Sequence, residues 1–244
     1  MYHLSFRSLG ILMSLAVMAG CAQAPKNPPG PPPPQNLLGT TDELQLVTEL
    51  SVNLAAQYGG ENVLVVMEID NMLLTTDRGD YAGSCGEFET GGKEPSASNM
   101  RPAQADTAKQ IQRIQEAGMR AIVVTSRAPA CLAQTFEDLG SNDLNFAASA
   151  WHPQAGYPEP FLLEGVDQPV VYRDGVFFAN GQDKGAVLKA FLDKAGDPKP
   201  VIIVMADSDR EDLNAVMKTF SWTKTKVHAW RYTRESNVAI ASGP

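Results

Sequence analysis

The chain has 244 residues, enough for one sizeable domain with extras, and its 43% hydrophobic and 20% charged residues are those of an ordinary globular protein. Its 28 acidic side chains outnumber the 20 Lys and Arg, giving a formal net charge of -8. Such a surface repels polyphosphate backbones and anionic lipid, which excludes nucleic acid as the main partner.

Residues 1–20 carry one cation, Arg7, and then the run LGILMSLAVMAG, which ends against Cys21. A helix of that length falls short of the roughly 30 Å of a bilayer's apolar core, so a cleavable signal peptide is expected. LAVMAGC resembles the lipobox of bacterial lipoproteins, which implies lipidation of Cys21 and attachment to a membrane through that lipid. An ordinary secretory signal with an incidental cysteine is the alternative. Ala22 stands where an Asp would resemble an inner-membrane retention signal, so the expected location is the bacterial cell envelope, at the outer membrane facing the periplasm.

Residues 22–35, AQAPKNPPGPPPPQ, cannot bury a core and favour an extended polyproline II chain. At roughly 3 Å per residue this is a tether of about 40 Å, with a Pro-rich ligand for a partner domain as the other reading. The expected organisation is a signal over 1–20, a lipidated Cys and linker over 21–39, and one domain over 40–244. Whether Cys85 and Cys131 form a disulfide stays open.

Thr40 and Glu43 have the spacing of a capping box, and Leu44, Val47, Leu50 and Leu54 recur at helical spacing until Gly59 and Gly60. Residues 63–67 form a continuous apolar run of the kind buried on both faces of a sheet. A long loop or small insertion is expected over 75–100, a helix over 105–117, a second buried strand over 121–124, and a helix ending near Gly140. Residues 141–168 read as irregular; Trp151, His152 and Tyr157 there either line a cap over a site or pack on the domain. Arg173, Asp174 and Gly175 are a hairpin turn between apolar runs at 170–172 and 176–178. A helix at 184–194, a strand at 201–205, a helix at 209–220 and a strand at 226–232 complete the series. The alternation predicts an α/β fold, a three-layer doubly wound Rossmann-like parallel sheet with small insertions.

In such sheets ligands bind beyond the carboxyl ends of the strands. There stand Glu68 and Asp70 after the first buried strand, Thr125 after the second, Lys184 opening a helix, and Asp207 with Asp212 after the next strand. Carboxylates that hold Mg2+ or attack phosphorus, with a hydroxyl and an ammonium on the phosphate oxygens, suit phosphoryl transfer. A cation is disfavoured at a helix start, so Lys184 implies an anionic partner. Ser126 and Arg127 are placed to touch a phosphate, with a structural ion pair as the alternative for Arg127.

VLVVMEIDNMLL, AIVVTSR, DKGAVLKAFL and VIIVMADSDREDL, in this order, resemble the four motifs of the haloacid dehalogenase (HAD) superfamily. With TFEDLG and YRDGVFF, the likeness extends to exported bacterial HAD-type proteins related to class B acid phosphatases. The resemblance implies a HAD-like domain with a nucleophile at Glu68, a general acid/base at Asp70, a phosphate-binding hydroxyl at Thr125 and a phosphate-binding Lys184. It implies Mg2+ held by Glu68, Asp70, Asp207 and Asp212, with Ala206-Asp207 standing for the family's Gly-Asp, and a small phosphomonoester as substrate.

Motif one departs from the family twice. Glu68 replaces an Asp, and an extra methylene at an in-line nucleophile costs about 10²-fold in rate, whereas metal binding tolerates the longer arm. Met72 replaces a Thr that helps order the loop. Two readings therefore stand together: a lipid-anchored, Mg2+-dependent phosphatase, and a catalytically silent HAD-like binding or envelope-interaction module.

Replacing Cys21 by Ser is expected to move the protein from the membrane to the soluble fraction on cell fractionation. Unchanged membrane association would remove the lipid anchor from the reading.

Overall fold

The computed structural model describes residues 31–76, 100–157 and 159–235. The first part of the domain runs β1 (Leu37–Thr41), α1 (Leu44–Tyr58), β2 (Val63–Met67), β3 (Leu74–Thr75), β4 (Arg101–Pro102), α2 (Thr107–Glu116), β5 (Arg120–Thr125) and α3 (Leu132–Ser141). The second runs β6 (Val171–Arg173), β7 (Val176–Phe178), α4 (Lys184–Ala195), β8 (Ile202–Asp207), α5 (Arg210–Phe220) and β9 (Lys226–Tyr232). Seven strands make one sheet in the order β1-β9-β8-β2-β5-β7-β6, parallel except for the β6–β7 hairpin, while β3 and β4 form a separate antiparallel ribbon.

Alternation within the central strands divides the core between two faces. Val63, Val65 and Met67 of β2 pack with Val47 of α1, Ile111 and Ile114 of α2, and Leu139 of α3. Leu64 and Val66 point the other way, to Val187 and Phe191 of α4 and Val216 and Phe220 of α5. This is the three-layer, Rossmann-like arrangement expected from the unbroken apolar runs, which only a strand covered on both sides explains. Each such side chain, fully buried, contributes about 1.5–3 kcal/mol.

The domain starts earlier than the sequence suggested. Residues 37–41, read as the end of a linker and the cap of a helix, form β1 beside β9, in register from Leu37 opposite His228 to Thr41 opposite Tyr232. The strand was hard to see because it is an edge strand: Leu37 and Leu38 are 41% and 40% exposed. Gly39 is required there, since a Cβ would stand 2.5 Å from the Trp230 ring. Thr40 therefore cannot cap α1, whose N-cap is Glu43 without a side-chain bond. The Leu44 amide instead donates to Gln104 Oε1 at 2.9 Å, a cap from a distant segment. The chain is pinned further back as well, where the Val227 amide donates to Asn36 Oδ1 at 2.9 Å and the Tyr58 hydroxyl to Pro32 O at 2.7 Å.

No helix among the described residues is long and apolar enough to cross a membrane. The signal and Cys21 lie outside the described residues, as does most of the expected 75–100 insertion. Cys131 is disulfide-bonded, and Cys21 and Cys85 are both outside the described residues.

Helices α4 and α5 are in close contact at Gly185, where a Cβ would stand 2.4 Å from the Ala215 carbonyl oxygen and 2.6 Å from Thr219 Oγ1. A substitution there must push two helices apart. Gly185→Ala is expected to cost about 2 kcal/mol and to lower Tm by roughly 4–8 °C in thermal unfolding followed by circular dichroism.

Candidate functional site

Three parallel strands end at the same edge, and their register delivers the side chains. Met67 of β2 pairs with Ala206 of β8 on one side and with Val123 of β5 on the other. Glu68 and Asp207 follow directly, and Thr125, two residues beyond Val123, ends β5 beside them. Lys184 comes from the start of α4, where Asp183 caps the helix by accepting from the Ala186 amide at 2.8 Å. Asp212 comes from the first turn of α5, where a carboxylate is favoured by the helix dipole.

Lys184 is 1% exposed and its ammonium donates to Glu68 Oε2, to Asp207 Oδ2 at 2.7 Å and to Asp212 Oδ2 at 2.7 Å. The anionic partner that a cation at a helix start called for is thus an internal set of carboxylates. Burial alone would lower the Lys184 pKa; the charges of Glu68, Asp207 and Asp212 reverse this and hold it well above its usual value. Burial would raise Glu68, but the Lys184 charge and hydrogen bonds from Lys184, Thr125 and the Ile69 amide keep it ionised below the ordinary carboxylate value. Asp207 is pushed up to about 7, by burial first, with Lys184 opposing and Glu68 adding to the rise. Asp212 is raised by burial against the pull of Lys184.

Glu68 folds back over its own loop. Its Oε1 accepts from the Ile69 amide at 2.6 Å and the Asp70 amide at 3.4 Å, and its Oε2 from the Ser126 amide at 3.3 Å. Thr125, fully buried, adds a hydrogen bond to the same carboxylate and accepts from the Arg127 amide at 3.3 Å.

Asp70, expected beside Glu68 as a metal ligand, faces Arg127 instead. Arg127 Nε donates to Asp70 Oδ2 at 3.0 Å and its NH2 group to Oδ1 at 2.7 Å, a bidentate pair. The same guanidinium donates through NH1 to Asp138 Oδ2 at 2.8 Å and Thr135 Oγ1 at 3.0 Å, tying the β2 and β5 loops to α3. Of the two alternatives for Arg127, the ion pair is the one present. Burial raises the Asp70 pKa, Arg127 opposes this, and the charges of Glu68 and Asp138 leave it above the ordinary value.

Met72, which stands where a Thr was expected, is buried in the core, and the loop is ordered by the amides of Met72, Leu73 and Leu74, all donating to Ile69 O. Ala206 is buried in β8 next to Asp207, which ends the strand. Trp151 is a core residue packed with Leu64 and Val66, and His152 stacks on it at 5.0 Å. Tyr157 packs on Phe161 with Lys194 Nζ 4.9 Å from its ring, at the opposite end of α4 from Lys184. The aromatics thus pack on the domain rather than over the site, and His228 lies in β9.

Glu68, Asp207 and Asp212 each offer a carboxylate oxygen, with the three atoms within 4.8 Å of one another. Hard oxygen donors of this kind suit Mg2+. The residues fit a divalent cation on charge as well, because one ammonium does not balance three carboxylates. The cluster meets solvent through Asp212, whose side chain is 23% exposed, whereas Lys184 and Asp207 are closed off.

The model of one protein family, described as a protein of unknown function (DUF2608), matches residues 87–241. No curated protein and no solved structure matches the chain.

Removing one partner from a buried ion cluster leaves uncompensated charge. Lys184→Met is expected to cost about 3–5 kcal/mol in urea unfolding at neutral pH. Adding Asp207→Asn should recover part of that loss, and a purely additive double variant would show that the two charges are not coupled.

Proposed function

The chain belongs to the DUF2608 family, and from the site it carries we propose that it is a HAD-like protein of the phosphatase type, held in the bacterial cell envelope by a lipid on Cys21. The observation that carries this reading is convergence. Glu68, Thr125, Lys184 and Asp207 come from three strand ends and one helix start, distant in sequence, and share one hydrogen-bonded cluster. A solvated strand-end turn has no reason to bury an ammonium against three carboxylates, since desolvating charges is costly unless they serve each other.

In this reading Thr125, Lys184 and the amides of the β2 and β5 loops bind the phosphate oxygens of a small phosphomonoester. Asp70, with its raised pKa, moves a proton to or from the leaving oxygen, and Arg127 orients it. Glu68, Asp207 and Asp212 would hold Mg2+, which when bound would neutralise charge on the phosphate oxygens. The HAD resemblance gives Glu68 the part of nucleophile as well.

One observation favours the second reading, a catalytically silent binding module of the envelope. The Glu68 carboxylate takes the loop amides for itself, and Asp70 spends both oxygens on Arg127.

Hydrolysis of p-nitrophenyl phosphate with Mg2+ by the full-length protein in detergent separates the two. The phosphatase reading expects turnover that Asp70→Asn lowers by about 10²–10⁴-fold and that Glu68→Asp raises by about 10²-fold. Turnover in Glu68→Asp alone supports a silenced site, and turnover in none of the three proteins sinks the phosphatase reading.

A further inference from the structure

A single carboxylate in this protein is served by five donors. The amides of Ile69, Asp70 and Ser126, the Thr125 hydroxyl and the Lys184 ammonium all converge on the two oxygens of Glu68, which is 5% exposed. Ile69 and Asp70 supply successive backbone N–H groups directed at one oxygen, the arrangement that makes a concave anion site from main chain alone. The fit of the carboxylate to this set is uneven. The Ile69 amide is close at 2.6 Å, while those of Asp70 and Ser126 stand off at 3.4 and 3.3 Å, at the limit of a useful hydrogen bond. A planar group with two oxygens reaches one side of the cradle well and the other poorly. A tetrahedral oxyanion turns three oxygens toward the same donors.

The side chain gets there because of its length. The residue follows directly on β2, and its own next amide is the donor at 2.6 Å, so the carboxylate has curled back over the turn. An Asp at the same position ends one methylene earlier, nearer the strand end, and leaves the amides of Asp70 and Ser126 more open.

We infer that Glu68 is the built-in occupant of an oxyanion cradle: its carboxylate fills the place of a phosphate group, and a free phosphate enters only as that side chain leaves. The phosphatase-type reading supplies the choice of phosphate; the self-occupied cradle is the new element. Site affinity is then set by competition between an intramolecular carboxylate and a free anion. An occupant present in about nine molecules of ten weakens the apparent affinity about tenfold.

The test measures binding, not turnover. Inorganic phosphate is titrated calorimetrically into the full-length protein in detergent, in buffer containing Mg2+ to offset Asp207 and Asp212, with the parent, Glu68→Ala and Glu68→Ser compared. Both variants leave Lys184 paired to two carboxylates, and their far-ultraviolet circular dichroism checks the fold. Phosphate binding about tenfold or more tighter in either folded variant than in the parent, and abolished by adding Thr125→Val, is the expected result. Equal affinity in parent and variants, or no binding in any of them, overturns the proposal. Tight binding by Glu68→Ala alongside an inert Glu68→Asp would leave the occupied cradle standing and remove the phosphatase. Turnover by the parent, with no gain in phosphate affinity in the variants, would do the reverse.

Discussion

One ammonium group organises the centre of this molecule. Lys184 is carried into the protein at the start of α4, closed to solvent, and meets one oxygen from each of Glu68, Asp207 and Asp212. Lys184, Glu68 and Asp207 could not be buried alone, because each charge costs several kcal/mol to desolvate. Together with Asp212 they fix the relation between the end of β2, the end of β8 and the first turns of α4 and α5. Gly185, the next residue, lets α4 lie against Ala215 of α5 closely enough for Lys184 to reach Asp212. Packing and electrostatics at this corner are therefore one constraint.

Arg127 does the same work on the neighbouring side, again as one cation between carboxylates. One guanidinium satisfies Asp70 and Asp138, so the loop after β2 is held between a cation from α4 and a cation from the β5 loop. The two carboxylates of that loop are thereby pulled apart, Glu68 toward β8 and Asp70 toward α3. Two carboxylates two residues apart keep distinct environments for this reason: Glu68 is driven below the ordinary carboxylate pKa and Asp70 above it.

Much of the architecture could be read before any coordinates, and the physical reason is burial. β2, β5 and β8 are covered on both faces, so Val63–Met67, for instance, is an unbroken apolar run, and the positions just beyond such runs pointed to Glu68, Thr125 and Asp207. The hairpin of β6 and β7 announced itself through Asp174 and Gly175, both at positive φ. β1 stayed hidden because an edge strand with two half-exposed leucines has no pattern, and its partner lies 191 positions away. The orientation of side chains was equally illegible. That Asp70 turns to Arg127 depends on a contact between residues 57 apart, and the curl of Glu68 depends on amides from two loops.

β1 also decides how the domain bears load. The chain enters the fold along the axis of this strand, parallel to β9 and pinned at Asn36 and Pro32 before the ladder begins. A pull on the N-terminal segment, opposed by drag on the domain, runs parallel to the strands. The ladder from Leu37 to Thr41 is then sheared as a block, its bonds sharing the force, instead of being peeled open one after another. An edge strand loaded in this way resists detachment, and the carboxyl ends of β2, β5 and β8 lie at the end of the parallel sheet opposite the residue where β1 begins.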